Sequence, residues 1–396
     1  MHILMLLDHN YPPDQRVENE AESLVKRGFE VTVLAIGKDE RPVRDNFDGT
    51  KIHRINMPIS LRDKLRGLVG FFNIYGNILA RYIIKVQKER QIDVIHIHDL
   101  YLAKAGVIAK KKLNVPLVLD LHENYVQALT QYAWSTRFPG KWLTSIEKWK
   151  RMEKEWIVKA DKIISVIQEM KDRYLELGFA EDKIMVVPNT PNLNAFRAFP
   201  LKQQILNKFE NRKVLLYSGG FDLHRGLESA IRAMKIVSET HPEALLVLVG
   251  DGRNKSELVE LTEYEKLENF VQFEGWQDQE NIRSYVKRAD IGLIPHVKSV
   301  QTDASIPHKL GYYMSEALPV ITSNCVSLER MVLDYEAGKV FESQNIKDLA
   351  EQIRYLLDHP KEAEKLGKNG KKAADSVFNW DNTVQPLVNY YKSLSD

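Results

Sequence analysis

Short apolar runs alternate with longer helical patterns from one end of this chain to the other, and no other feature restricts its fold as strongly. Repeats of this kind indicate βαβ units built around a parallel sheet, so the fold class is α/β. From residue 94 onward the predicted strands are almost wholly apolar, as expected for strands covered on both faces. The strands predicted in the first half are His2–Leu7, Val31–Ile36, Lys51–Ile55, Val94–His98, Leu117–Leu121, Lys162–Val166 and Ile184–Val187.

The alternation stops between Thr190 and Arg212, where proline and asparagine indicate a linker. A chain of 396 residues exceeds the size at which one core usually keeps growing. We therefore expect two Rossmann-like, doubly wound parallel-sheet domains facing across a cleft, at residues 1–195 and 196–377, with ligands beyond the carboxyl ends of the strands. The strands predicted in the second half are Val214–Tyr217, Ala244–Val249, Val271–Phe273, Ile291–Ile294, Val320–Thr322 and Lys339–Phe341.

Composition excludes several classes of protein. The formal net charge of +2 gives no reason to expect a nucleic-acid partner. A single cysteine, Cys325, rules out an internal disulfide framework and fits a reducing compartment, and no metal-ligand spacing is present. The first residues lack the features of a signal peptide, and no stretch is long and apolar enough to span a bilayer. We therefore expect a cytoplasmic protein without a metal.

A glycine turn opens the second half of the chain. A predicted strand leads into Ser218-Gly219-Gly220, and Arg225-Gly226 follows before the helical run Leu227–Val237. Glycines let the backbone approach a ligand, the helix start offers free N–H groups, and Arg225 adds fixed positive charge. These features suit a diphosphate, although a tight turn with a solvated arginine explains the same residues.

A second anion site is indicated by Ala304-Ser305-Ile306-Pro307-His308-Lys309, which precedes another helix. Pro307 suits the first helical position and places Lys309 in the first turn, where its charge adds to that of the helix N-terminus. Tyr312 and Glu316 are four residues apart and share one helix face. An ordinary helix leading into the next strand is the alternative.

His122 ends the predicted strand that carries Asp120, at the edge of the sheet where a ligand is expected. A neutral imidazole there can bind a sugar hydroxyl or carry a proton near neutral pH. A structural histidine that caps the strand is the alternative.

Several short motifs follow one another along the chain: Tyr11-Pro12-Pro13, Ile95-His96-Ile97-His98-Asp99, His122, Val187-Pro188-Asn189, Tyr217-Ser218-Gly219-Gly220, Val249-Gly250-Asp251-Gly252, Pro307-His308-Lys309 and Leu318-Pro319-Val320-Ile321. Taken in this order, they resemble the retaining GT-B glycosyltransferases of family 4, also described as glycosyl transferases group 1. The resemblance covers about residues 1 to 395, and no GxGxxG of a dinucleotide-binding protein is present.

The resemblance implies transfer of a sugar from a nucleotide-diphosphate sugar to a glycan or lipid-linked acceptor, with retention and with neither metal nor cofactor. It assigns Arg225 and Lys309 to the donor diphosphate and His122 to the reacting end of the donor sugar. The loop that ends at Arg16 matches the family's glycine-rich loop but has no glycine, so Arg16 is expected to act there electrostatically. Residues 378–396 match a closing helix that completes the first domain.

One departure from the family pattern concerns the nucleotide ribose. Members usually carry two glutamates where this chain has Ala304 and Tyr312, and the second grips the ribose. A phenol makes fewer such hydrogen bonds than a carboxylate, and Glu316 is the candidate substitute. The departure keeps open a catalytically weak binding or partner subunit. An inverting transferase or a nucleotide-sugar epimerase on the same fold stays open as well.

Two segments raise the question of membrane contact. The basic amphipathic stretch Leu61–Arg90 suits an anionic lipid surface, but a helix packed on the sheet explains it as well. Trp142, Trp149 and Trp156 recur every seven residues, which favours a stripe that packs in the core.

Overall fold

A computed structural model of the chain describes residues 1–38, 40–70, 72, 74–130 and 145–395. The chain divides into two units, one made of Met1–Pro188 and Val384–Asp396, the other of Asn189–Thr383. The predicted boundaries at residues 195 and 378 thus lie inside the second unit. Each unit carries its own parallel sheet, so the α/β class and the Rossmann-like architecture of each domain are confirmed.

The sheet of the first unit has the order β3-β4-β2-β1-β5-β6-β7-β8 and is parallel except where β3 pairs with β4. Its strands are β1 His2–Leu7, β2 Glu30–Gly37, β3 Arg44–Phe47, β4 Thr50–Asn56, β5 Val94–His98, β6 Leu117–Leu121, β7 Lys162–Ser165 and β8 Ile184–Val186. The sequence did not predict β3 because all its residues are exposed and it lacks an apolar pattern. β1, β5 and β6 are neighbours, so their carboxyl ends share one edge.

The helices of the first unit cover this sheet. They are α1 Gln15–Val25, α2 Ile59–Gly67, α3 Ile74–Glu89, α4 Ala103–Leu113, α5 Tyr125–Ala128, α6 Ile146–Lys159 and α7 Gln168–Glu176. The Asp14 carboxylate caps α1 by accepting a hydrogen bond from the Val17 N–H. Trp149 and Trp156 of α6 are buried, which confirms the core prediction for these two. Trp142 lies outside the described residues.

The second sheet is wholly parallel, in the order β11-β10-β9-β12-β13-β14. Its strands are β9 Lys213–Ser218, β10 Ala244–Val249, β11 Val271–Gly275, β12 Ile291–Ile294, β13 Val320–Ser323 and β14 Gly338–Phe341. Two buried apolar clusters pack within this unit; one includes alternate β9 residues Leu215 and Tyr217, the other Val214 and Leu216. β9 and β12 are adjacent, so the loops that follow them lie side by side.

The helices that follow in the chain are α8 Leu193–Ala198, α9 Gln203–Leu206, α10 Leu227–Ser238, α11 Lys255–Tyr264, α12 Gln279–Arg288, α13 Val300–Asp303, α14 His308–Ser315, α15 Val326–Asp334, α16 Ile346–Asp358, α17 Pro360–Ser376, α18 Trp380–Thr383 and α19 Gln385–Ser393. The predicted linker is therefore wrong in part, because α8 buries Leu193 and Phe196 in the second unit. In the described part of the chain, no helix has the length and apolar character needed to cross a membrane.

Candidate functional site

In the turn after β9, the backbone of Gly219 lies close to the Lys309 side chain. The Tyr217 hydroxyl donates to the Gly220 carbonyl at 2.8 Å, and the Ser218 N–H donates to the Tyr313 hydroxyl of α14 at 2.9 Å. Gly219 has a φ of +137°, and a Cβ there would lie 2.8 Å from the Lys309 Nζ atom. Only glycine therefore fits at Gly219. A Cβ at Gly220 would meet nothing closer than 3.4 Å, so that position is less restricted.

Lys309 lies in the first turn of α14 with its ammonium group buried. Its Nζ atom is 3.5 Å from the centroid of the Tyr217 ring and has no hydrogen-bond partner among the described residues. Burial, and then the charge of Arg225, hold the pKa of Lys309 well below its usual range. An unpaired buried cation is costly to a fold, so its retention indicates an anionic ligand.

Arg225 closes the short 3₁₀ turn Leu223–Arg225, directly before Gly226. Its Nη1 atom donates to the His296 Nε2 atom at 3.1 Å, while its buried Nε atom has no partner in the described part of the chain. Burial, and then the charges of Lys309 and Arg225, lower the pKa of His296 to about 2. His296 is therefore neutral, and Arg225 and Lys309 are the side chains of this cluster that can carry positive charge.

Four predicted donor-binding residues thus meet at the carboxyl edge of the second sheet: Gly219, Gly220, Arg225 and Lys309. The Lys309 Nζ atom and the Arg225 Nε atom are both buried without a hydrogen-bond partner among the described residues. Two cations beside exposed backbone suit a ligand with more than one negative charge.

Ser305, Ile306 and Tyr312 lie around the start of α14. Ser305 is exposed, and Ile306 packs against the apolar cluster of the second unit. The Tyr312 ring stacks on Phe196 at 4.2 Å, and its hydroxyl accepts a hydrogen bond from the Gln279 amide at 3.2 Å. Tyr312 is therefore held in place by neighbours within its own unit.

Glu316 lies at the opposite edge of the sheet, so its proposed role as a ribose ligand is wrong. A helix rises about 1.5 Å per residue, which puts Glu316 about 10 Å along the axis from Lys309. Its carboxylate accepts from the Arg283 Nε atom at 2.9 Å and lies 3.6 Å from the Lys287 Nζ atom. It shares a shallow pocket with Lys213 and Asp290, at the amino ends of β9 and β12.

In the first unit His122 follows β6 and lies between two carboxylates. Its Nε2 atom is 2.9 Å from an Asp120 oxygen, and its Nδ1 atom is 3.6 Å from an Asp99 oxygen. Burial lowers the pKa of His122, but the charges of Asp120 and Asp99 outweigh it and raise the pKa to about 9. The side chain is 23% exposed, so this imidazolium can still meet a ligand.

Arg16 is buried and bonded to Asp120, the same carboxylate that His122 contacts. Its Nε and Nη2 atoms each donate to Asp120 at 2.9 Å, and its Nη1 atom donates to the Val187 carbonyl at 3.0 Å. The remaining contact is an ion pair with Glu20 at 3.0 Å. All three guanidinium nitrogens of Arg16 are thus bonded to groups of the protein, and the side chain holds Asp120 in place. The predicted contact of Arg16 with the nucleotide-sugar donor is therefore wrong.

A group of buried histidines and carboxylates surrounds Arg16, and the sequence alone did not predict this cluster. Glu20, His96, His98 and Asp120 offer ligand atoms within 4.8 Å of one another, as in a metal site. The Arg16 guanidinium already lies against both carboxylates, so the positive charge that a metal would bring is present. The sequence signal for this cluster was the spacing of His96 and His98, which places both side chains on one face of β5. His98 is paired with Asp120 of β6 in the sheet register.

Comparison with known proteins bears on both units. Residues 15–194 match the family model described as Glycosyltransferase Family 4, and residues 199–373 match that of Glycosyl transferases group 1. The two matches adjoin and together account for most of the chain. This chain belongs to the group 1 and family 4 glycosyltransferases.

Individual relatives agree with this assignment. An uncharacterized glycosyltransferase of Methanocaldococcus jannaschii is 25% identical over 94% of this chain and 92% of its own length. A glycogen synthase of Mycobacterium tuberculosis is 24% identical over 76% of this chain and 68% of its own length. Anabaena HepE, solved in complex with UDP, has a TM-score of 0.73 at 17% identity over 99% of this chain and 100% of its own, which shows the GT-B fold. The present glycosyltransferase is thus an enzyme of the hexosyltransferase class.

Proposed function

We propose that this glycosyltransferase moves a hexose from a nucleoside-diphosphate sugar to a glycan or lipid-linked acceptor, with retention and without a metal. One observation carries the donor assignment. Lys309 Nζ and Arg225 Nε are buried beside the Gly219 turn, and neither has an anionic partner among the described residues. A diphosphate supplies the missing negative charge, and the UDP bound by the Anabaena relative supports this choice.

In this proposal the bond from the sugar to the diphosphate breaks while the acceptor hydroxyl attacks the same face. The hydroxyl proton passes to the departing phosphate oxygen. Negative charge grows on that phosphate, and Arg225 and Lys309 stabilise it because they are already in position. A role for His122 at the reacting sugar stays a prediction from the family resemblance.

A thermal-shift screen against UDP-, GDP-, ADP- and CMP-sugars and their free nucleotides tests the donor assignment. We expect one nucleotide class to raise the melting temperature, and Arg225→Ala to reduce the rise, since Lys309 then remains as a cation at the site. Arg232→Ala is the matched control, because Arg232 lies on α10 and pairs with Glu265 at the surface. No shift with any nucleotide at about 1 mM would support the catalytically weak subunit, to which the Tyr312 substitution already points.

A lipid-linked acceptor is supported by an apolar surface on the first unit. No residue of α2 is buried, and Leu61, Phe72 and Ile74 are 47%, 57% and 50% exposed. The exposed face of α3 continues with basic side chains, Arg81, Lys85 and Lys88. Apolar side chains next to basic ones suit an anionic membrane surface. The other face of α3 is buried, and the helix packs against α4, so only the exposed side is available.

Liposome co-sedimentation tests this surface. We expect binding to vesicles that contain anionic lipid, weaker binding to zwitterionic vesicles, and loss of binding in Phe72→Ser with Ile74→Ser. Leu177→Ser is the control, because Leu177 is a comparably exposed apolar residue of the same unit. Equal sedimentation of all variants with both vesicle types would exclude membrane contact through this surface.

Retention and metal independence have separate tests. The anomeric configuration of the product, read by NMR from its coupling constants, distinguishes a retaining enzyme from an inverting one. Turnover that is unchanged by EDTA is expected, because two fixed cations replace the metal at the leaving group. Activity that EDTA removes and a divalent ion restores would overturn that part of the proposal.

A further inference from the structure

His296 lies two residues beyond β12, in a loop that is joined to the Arg225 turn. The Val297 N–H donates to the His224 carbonyl at 2.9 Å. Gly226 packs so closely that a Cβ on it would lie 1.8 Å from the Pro295 carbonyl oxygen. The loop that carries His296 and the turn that carries Arg225 therefore form one closely packed group.

The hydrogen bond between the two side chains fixes the tautomer of His296. Arginine only donates, so the Nε2 atom of His296 accepts the Arg225 Nη1 proton at 3.1 Å and the ring proton is on Nδ1. The groups that face the ring are His224, Arg225 and Lys309, and no carboxylate is among the charges that act on it. A protonated ring has no Nε2 lone pair for Arg225, so the bond requires the neutral form.

We propose that His296 is a positioning residue for the donor diphosphate: its unprotonated Nε2 atom accepts from Arg225 and holds the guanidinium in the orientation that a phosphate requires. This inference rests on the proposed function. Without His296 the Arg225 guanidinium has no described hydrogen-bond acceptor, so its side chain can adopt several rotamers. Fixing one of these rotamers when the ligand binds costs entropy.

A second observation separates this role from simple packing. The His296 Nδ1 atom is buried and has no hydrogen-bond partner among the described residues. The contacts that anchor the loop use the main chain instead, since the His296 carbonyl accepts from the Ser343 hydroxyl at 3.3 Å. An apolar ring of similar size would therefore keep the loop anchored and remove an unsatisfied polar group. The histidine thus brings no evident benefit to stability.

The test is a double-mutant cycle on nucleoside-diphosphate binding, measured by calorimetry with UDP, GDP and ADP on the full chain. We expect His296→Phe to weaken the binding of the preferred diphosphate about 10-fold, the usual effect of losing one hydrogen bond to a charged group. His296→Gln should recover most of this loss, because the glutamine Oε1 atom can take the place of Nε2 and accept from Arg225. In the Arg225→Ala background, His296→Phe should have no further effect.

Two outcomes would overturn the inference alone. The first is a wild-type affinity for the diphosphate in His296→Phe. The second is an equal loss of affinity on His296→Phe with and without Arg225, because that result indicates a role independent of the guanidinium. If the unaltered protein binds none of the three diphosphates, the proposed function fails and this inference with it. Thermal unfolding without nucleotide checks the fold, and the glutamine variant keeps the test decisive if the phenylalanine variant is unstable.

Discussion

Replacing Lys309 with methionine should make this glycosyltransferase more stable while it removes the nucleotide response. Methionine has nearly the length of lysine, is apolar, and can keep a sulfur contact with the Tyr217 ring. The substitution takes away a buried amine that lies near Arg225 and has no described partner. A residue that is kept for ligand binding at a cost in stability should respond in this way.

The expected size follows from the lowered pKa of Lys309. Its ordinary value is 10.5, so at pH 7 the cost of burying it cannot exceed about 5 kcal/mol, at about 1.4 kcal/mol per pH unit. The contact of its Nζ atom with the Tyr217 ring favours the charged amine by about 2 kcal/mol, so the actual cost lies below this upper bound. We expect a net stabilisation of about 1–3 kcal/mol, where 1 kcal/mol corresponds to about 2–4 °C for a domain of this size.

Thermal unfolding in a buffer without phosphate, with and without the preferred nucleoside diphosphate, measures both effects. The variant should melt higher than the wild type without nucleotide and show no shift with it. Because the folded pKa of Lys309 is lowered, wild-type stability rises with pH up to 10.5, so the gap should narrow at alkaline pH. Lys365→Met, at an exposed position, is the control. A variant that melts lower and still responds to nucleotide would refute the reasoning.

The first unit yields three further predictions. Arg16→Met leaves the buried carboxylates of Asp120 and Glu20 without their cation, so urea unfolding should report a loss of about 3–5 kcal/mol; an unchanged midpoint would contradict the bonds described. Asp120→Asn should lower the pKa of His122 from about 9 toward its ordinary value, as followed by NMR titration of the ring, and a pKa that stays near 9 would show that Asp120 is not its cause. Because its pKa is raised from 6.5 to about 9, His122 contributes its full stabilisation below pH 6.5 and loses it as the pH rises through 9. The free energy of unfolding of His122→Gln should therefore not show this decrease at alkaline pH.

The parallel strands were the most predictable part of the fold. β1, β5, β6, β10 and β12 have the predicted bounds, because strands covered on both faces are mostly apolar and are followed by polar residues, glycine or proline. β3 was missed because it is exposed, polar and at the sheet edge. The short helix α8 was missed because its six residues lie among prolines and asparagines that also suit a loop.

Parts of the candidate site were predictable because they depend on strand ends. Gly219, Arg225 and Lys309 follow strands or begin helices, and the carboxyl ends of parallel strands share one edge. Glu316 was assigned wrongly because a shared helix face does not mean a shared end of the helix. Arg16 was assigned wrongly because its partner Asp120 is distant in sequence, and only the tertiary fold shows that the two meet.

The central claim is that a nucleoside diphosphate binds at the carboxyl edge of the second sheet. A crystal structure of the protein with the diphosphate that stabilises it tests this most directly. Phosphate oxygens within hydrogen-bond distance of the Lys309 Nζ atom and the Arg225 guanidinium, beside the Gly219 backbone, are the result expected. Phosphates bound elsewhere, with Lys309 still against the Tyr217 ring and without a partner, would contradict the account.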